Sequence, residues 1–300
     1  MDREELLKTW AEPVKVLDHG YVKLVDVLGD DERIESAARI SYDGGRGRKT
    51  SERRGLIRYL YRHQHMTPFE MCQVTVGMKL PVFVARQLVR HRTAKINELS
   101  GRYSVLPHDF YVPDVENLAK QSSDNKQGRG DVFPEDEALQ LRAQMVSEST
   151  DAFATYDQFL AADMAKELAR CGLPLSTYTE WYWSIDLRNL FNFLRLRLDA
   201  HAQYEIRVYA EVLWRIVQDW VPMAAEAFAD FELDAKTFSR QEMAFLQDVL
   251  AQWKANVRVG CLDSSDPEAL FTERLGYVLD NAGVTNKRER EELLHKLGLR

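Results

Sequence analysis

Cysteine is scarce in this chain. Cys72, Cys171 and Cys261 are odd in number, widely spaced and without a C-x-x-C partner, which argues against a disulfide framework or a structural zinc site and suits a reducing cytoplasm. Long apolar runs are missing too. None approaches the ~20 residues that span a bilayer, and Met1–Trp10 is charged from its second residue, so a soluble, untargeted protein is expected. The chain lacks H-E-x-x-H, G-x-S-x-G and a strand-linked G-x-G-x-x-G, which disfavours an ordinary hydrolase or a Rossmann enzyme. His63 and His65 are two apart and do not share a helix face, so no metal is expected. No repeat of solenoid period occurs.

What is present is enough for a core: 300 residues, 45% of them apolar, fit one large domain or two ordinary ones. The net charge of −7 is unevenly spread. Residues 46–102 carry thirteen Lys or Arg against three acids, a net +10, leaving −17 elsewhere. Mutual repulsion of so many cations calls for acidic neighbours or a bound anion, and charge alone does not choose between an anionic ligand and a solvated basic face.

Alternation over Tyr21–Leu28 and Cys72–Leu80 predicts strands, and Asp109–Val112 reads as another. Helices are expected over Glu32–Ile40, from an N-cap at Ser51 to His63, over Val82–Thr93, from Pro134 to Arg170 with a kink or split, from Thr179–Trp183 onward, over Leu187–Leu198 and over Ala202–Val221. Ser41–Thr50, with three glycines among basic residues, reads as a linker, and Lys120–Asp131 as an exposed loop. After Phe231 the chain is charged and helical in pattern, without chemistry-bearing residues. The expected division is a catalytic domain over 1–230 and a helical extension over 231–300.

The chemistry concentrates in Arg90–Ser104, which holds Arg90, His91, Arg92, Asn97, Glu98, Ser100, Arg102 and Tyr103. Arginine forks match phosphate, Asn97, Glu98 and Ser100 can hydrogen-bond a heterocycle, and Tyr103 offers a stacking face. That set suits a nucleotide. An exposed basic helix end capped at Ser100 is the plain alternative.

Arg90-His91-Arg92, seven residues, then Ser100-Gly101 resembles the R-H-R-x7-S signature of the flavin-dependent thymidylate synthases. Further agreement lies in Ala37–Tyr42, His65–Glu70, Phe83–Gln87, Glu167 with Arg170, Leu173–Leu175 and Asn192–Ile206, spanning about residues 20–230 in the family's order. The resemblance implies an α+β fold, an antiparallel sheet core flanked by helices, followed here by the C-terminal helical extension. It implies a cytoplasmic homotetramer with active sites between subunits, binding neither nucleic acid nor membrane. FAD, NADPH and methylenetetrahydrofolate are the implied cofactors and co-substrate for converting dUMP into dTMP.

By correspondence, Gln87, Arg90, Glu98, Ser100, Gly101, Arg102, Arg170 and Arg197 map to the dUMP site. Arg102 and Arg170 take the phosphate, Ser100 orients the nucleotide and Arg197 polarises the pyrimidine. His65, Thr67, Arg90, His91, Arg92, Glu98, Asp186, Leu187, Arg188, Asn192 and His201 map to the FAD site. None of the cysteines stands in a nucleophile motif, so activation without a thiol is expected. Lys95 departs from the small polar residue of several relatives, and the 120–131 loop and the chain after Phe231 have no family counterpart. Two competing readings are a nucleic-acid binder using residues 46–102 with Tyr59, Tyr61 and Tyr103, and a flavoprotein acting on another nucleotide.

Overall fold

Alternating side chains build the sheet. In Gln73–Pro81, Val74, Val76, Met78 and Leu80 are buried while Gln73, Thr75 and Lys79 are partly exposed. Period 2 puts the first set on one face and the second on the other. The computed structural model describes residues 1–40, 50–123, 128–260, 267–282, 284 and 286–297. The expected linker at 41–49 and the side chain of Ser51 lie outside the described residues.

The chain divides into two compact units, Met1–Ala235 and Lys236–Arg300. In the first, α1 (Arg3–Thr9), β1 (Val14–Val16), β2 (Gly20–Leu28), α2 (Asp31–Arg39) and α3 (Thr50–Arg62) lead to β3 (Gln73–Pro81). Next come α4 (Val82–Leu88), β4 (Lys95–Glu98), the hairpin β5 (Ala119–Gln121) and β6 (Arg129–Val132), α5 (Glu135–Ala161) and α6 (Lys166–Ala169). Then β7 (Tyr178–Asp186), α7 (Leu187–Arg197), α8 (Tyr204–Trp220) and α9 (Pro222–Phe228) complete it. The second unit holds α10 (Arg240–Gly260), α11 (Pro267–Asn281) and α12 (Lys287–Lys296). Ser239 and Glu242 form a capping box before α10, and Asn286 caps α12 through the amides of Arg288 and Glu289.

The five-stranded sheet runs β1-β2-β3-β7-β4, antiparallel throughout, so the fold is α+β as expected. Its buried face, with Val22, Leu24, Val76, Met78, Trp181 and Trp183, shares one core with α3, α4, α7, α8 and α9. Tyr61, Phe69, Phe191 and Phe228 pack ring against ring there, Phe191 and Phe228 stacked at 4.5 Å. The other face is open, with Tyr182 57% exposed.

Acids from distant elements neutralise the cations of α3. Arg53 pairs with Glu35 at 2.6 Å, Arg54 with Glu226, and Arg58, itself buried, with Glu226 at 2.7 Å and Asp230 at 2.5 Å beneath the ring of Phe231. The π-helical turn Ala229–Leu233 therefore belongs to the first unit, which runs past the boundary at 230 read from the sequence.

Several expectations are corrected. Thr179–Trp183 is no helix start but the middle of β7, where aromatic and β-branched residues suit a strand paired on both sides. The helix expected to reach Thr93 stops at Leu88, because the chain must turn to lay β4 against β7. Asp109–Val112 contributes only the isolated bridge Phe110↔Thr177. The described part of Lys120–Asp131 is a β-hairpin, paired through Ala119↔Val132 and Gln121↔Arg129. The long helix from Pro134, by contrast, splits as expected, after Ala161, where Asp163 adopts φ 57°.

Candidate active site

The segment between α4 and α5 places the signature. Residues 95–98 are not a basic helix end: β4 is an edge strand, exposed at all four positions, in the register Lys95↔Ser184, Ile96↔Trp183, Asn97↔Tyr182 and Glu98↔Trp181. Residues opposite one another share a face. Lys95 and Asn97 therefore lie on the open face of the sheet, and Ile96 and Glu98 on the helix-covered side. Glu98 Oε1 accepts from Thr179 Oγ1 at 2.7 Å. At about 3.4 Å per residue, β4 and its continuation separate Lys95 from Ser100 by roughly 17 Å. The signature thus forms two stations.

At the first station His91 packs edge-on against Phe193 at 5.0 Å, and Arg197 Nε donates to His91 Nε2 at 3.4 Å. Burial, and then the Arg197 charge, push His91 down to about 4, so the imidazole is neutral near pH 7, with Nε2 as acceptor and the proton on Nδ1. Burial also lowers Arg197, which stays charged. Arg86, Arg90, Arg92 and Lys95 have no carboxylate partner among the described residues, and neither does Arg197.

At the second station the amides of Tyr103 and Ser104 donate to Ser100 O at 3.1 Å and that of Arg102 to Ser100 Oγ at 3.3 Å, a tight turn. Gly101 is buried against Arg170: a Cβ there would sit 3.1 Å from Arg170 Cδ and 3.2 Å from Nη1. The Arg170 guanidinium has no hydrogen-bond acceptor among the described residues. Arg102 is engaged by Glu167 at 3.0 Å, with both side chains about half exposed.

The remaining predicted residues are spread over several elements, with Asp186, Leu187 and Arg188 at the start of α7. Asp186 caps the helix, accepting from the Asn189 amide at 2.9 Å, and the buried Leu187 donates its N–H to Cys72 O at 2.9 Å. Arg188 lies 3.6 Å from Glu70, whose amide donates to Thr67 O at 3.2 Å. His65 stacks on Tyr59 at 6.1 Å. Asn192 is partly buried on α7, and the exposed His201 contacts Asp199 through Nδ1 at 2.8 Å.

Gln87 Nε2 donates to Gln203 Oε1 across 116 positions of sequence. Sequence reasoning assigned no site role to Thr179, Phe193, Gln203 or Glu205, because only the fold brings Thr179 to Glu98, Phe193 to His91, and Gln203 to Gln87 and Glu205. Among the described residues, no hydrogen bond, ion pair or ring contact joins the His91–Arg197 pair to Gly101 and Arg170.

Comparison with known proteins identifies the family. Residues 23–223 match the family described as "Thymidylate synthase complementing protein". The flavin-dependent thymidylate synthase of Ehrlichia ruminantium (strain Gardel) is 50% identical over 238 residues, covering 79% of this chain and 80% of that one. That of Treponema denticola is 50% identical over 239 residues, covering 79% and 89%. The solved structure of the UMP/dUMP methylase PolB from Streptomyces cacaoi bound with 5-Br dUMP superposes with a TM-score of 0.67 at 33% identity, over 73% of this chain and 99% of that one. The resemblance carried by Arg90–Gly101 thus extends over residues 23–223, and the chain belongs to the flavin-dependent thymidylate synthase family of enzymes.

Proposed function

We propose that this enzyme converts dUMP into dTMP, with FAD as cofactor, NADPH as reductant and methylenetetrahydrofolate as one-carbon donor. The observation that carries the reading is Arg197, a half-buried guanidinium whose hydrogen-bond partner is a neutral histidine rather than a carboxylate. Such a cation keeps its full charge for a ligand. Beside the pyrimidine edge it stabilises negative charge developing at N3 and O2 as C5 becomes nucleophilic.

Arg102 and Arg170 hold the phosphate. The exposed Arg102–Glu167 pair is worth about 0–1 kcal/mol and exchanges readily for a stronger anion. Gln87, Arg90, Glu98, Ser100 and Gly101 complete the nucleotide site. Bound flavin supplies the hydride chemistry that the side chains lack. Arg90 and Arg92, without a carboxylate partner among the described residues, suit its pyrophosphate, with His65, Thr67, His91, Glu98, Arg188, Asn192 and His201 around it, and Asp186 and Leu187 shaping the backbone. Cys72 is fully buried and pushed up to about 12 by burial, and Cys171 Sγ donates back to Glu167 O, which supports activation without a thiol. Cys261 lies outside the described residues.

Among the described residues no hydrogen bond, ion pair or ring contact joins the two stations, which supports a site completed between subunits of a homotetramer. No described helix is long and apolar enough to cross a membrane, and the cytoplasm is the proposed compartment. The nucleic-acid reading loses support, since Tyr61 is buried and Arg53, Arg54 and Arg58 are paired. A second reading takes UMP instead, as the name of the 33% identical PolB invites. Tritium release from C5-labelled dUMP, dependent on NADPH and methylenetetrahydrofolate, is the expected result. Release from labelled UMP alone favours the second reading, and release from neither, in a flavin-loaded protein, contradicts both.

A further inference from the structure

Glu205 is 1% exposed at the start of α8. Its Oε1 accepts from Tyr111 Oη at 3.0 Å and from Arg129, and its Oε2 accepts from Gln203 Nε2 at 2.9 Å. Burial alone would raise this carboxyl, but donation from Arg129 and Gln203 outweighs it and holds Glu205 below the usual carboxylate range.

An ionised carboxylate only accepts, so it dictates which end of the Gln203 amide faces it. The nitrogen of Gln203 turns toward Glu205 and its oxygen toward Gln87. Gln87 then has to offer its own nitrogen, as it does, and its Oε1 is left without a donor among the described residues. An unanchored glutamine amide presents either end to a ligand. Two successive contacts remove that freedom here.

We propose that Glu205 is a positioning residue that, through Gln203, locks Gln87 as a hydrogen-bond acceptor for a donor on the nucleotide, a ribose hydroxyl or the imide N–H. The inference rests on Gln87 lying in the dUMP site. It makes the buried Glu205 and Tyr111, and the exposed Arg129, part of substrate selection although none of them is placed against substrate.

The test measures dissociation constants of the full-length protein for dUMP and two analogues. These are 3′-deoxy-dUMP and 3-deaza-dUMP, in which a C–H replaces the imide N–H. Glu205→Gln and Gln203→Leu are compared with wild type, and the second change, at an exposed side chain, remains informative if the buried one prevents folding. Both variants are expected to weaken dUMP about tenfold, the worth of one net hydrogen bond. One analogue should bind wild type about tenfold more weakly than dUMP and lose nothing further in the variants, and its identity names the donor. Folded variants that bind dUMP as tightly as wild type, or that weaken both analogues as much as dUMP, overturn the relay alone. A wild type that does not bind dUMP overturns the proposed reaction as well.

Discussion

Two stretches carry four cations each at similar density, and the fold treats them differently. Along α3, Arg53, Arg54 and Arg58 are matched by Glu35, Glu226 and Asp230, and Arg62 lies 5.7 Å from the ring of Phe231. From α4 to β4, Arg86, Arg90, Arg92 and Lys95 have no carboxylate partner among the described residues. Coulombic repulsion is relieved internally in the first and left for a ligand in the second. A run of positive charge in a sequence therefore says little until the distant acids are placed.

The largest break in this contrast is Arg197→Ala. Losing one preorganised donor to developing charge should cost about 10² to 10³ in turnover while the melting temperature stays within about 2 °C, read by tritium release and calorimetry. Turnover within a factor of three of wild type in a folded variant would remove Arg197 from the chemistry.

Acid sharpens the same contrast. His91 sits near 4 in the folded protein against 6.5 for an ordinary imidazole. Between those values the unfolded chain binds more protons, so the contribution of neutral His91 is fully present above about pH 6.5 and is lost as pH falls toward 4. A proton there also takes the acceptor from Arg197. An NMR titration should show the His91 ring unprotonated at pH 5.5, and a midpoint near 6.5 would contradict the account.

The smallest expected effect belongs to Gly101→Ala. The added methyl meets the flexible arm of Arg170, which must give by a few tenths of an ångström. The Michaelis constant for dUMP should rise about two- to fivefold with little change in turnover. No change would mean that Arg170 does not hold the phosphate.

Much of the fold was legible because it is written locally. The alternation in β2 and β3 and the amphipathic patterns of α2, α7 and α8 arise within one turn or one strand. β4 was illegible for the opposite reason. Lys95–Glu98 has no buried side chain and is a strand only because β7 lies beside it. The aromatic run of β7 masked its period, since Tyr178, Thr179, Trp181 and Trp183 are all buried. At the site, the signature gave the residue types, but the neutral state of His91 and the Glu205–Gln203–Gln87 chain depend on burial and on partners over a hundred positions away.

The contrast between the two cationic stretches is tested most directly by measuring melting temperature and bound flavin side by side for Arg58→Ala and for Arg90→Ala/Arg92→Ala. Removing the buried Arg58 leaves Glu226 with Arg54 alone and takes the Arg58 partner from Asp230, at a cost of about 2–3 kcal/mol, which lowers the melting temperature by about 5 °C or more and leaves flavin bound. The double variant should melt within about 2 °C of wild type and lose most of its flavin. Equal destabilisation by both, or full flavin retention by the double variant, would contradict the account.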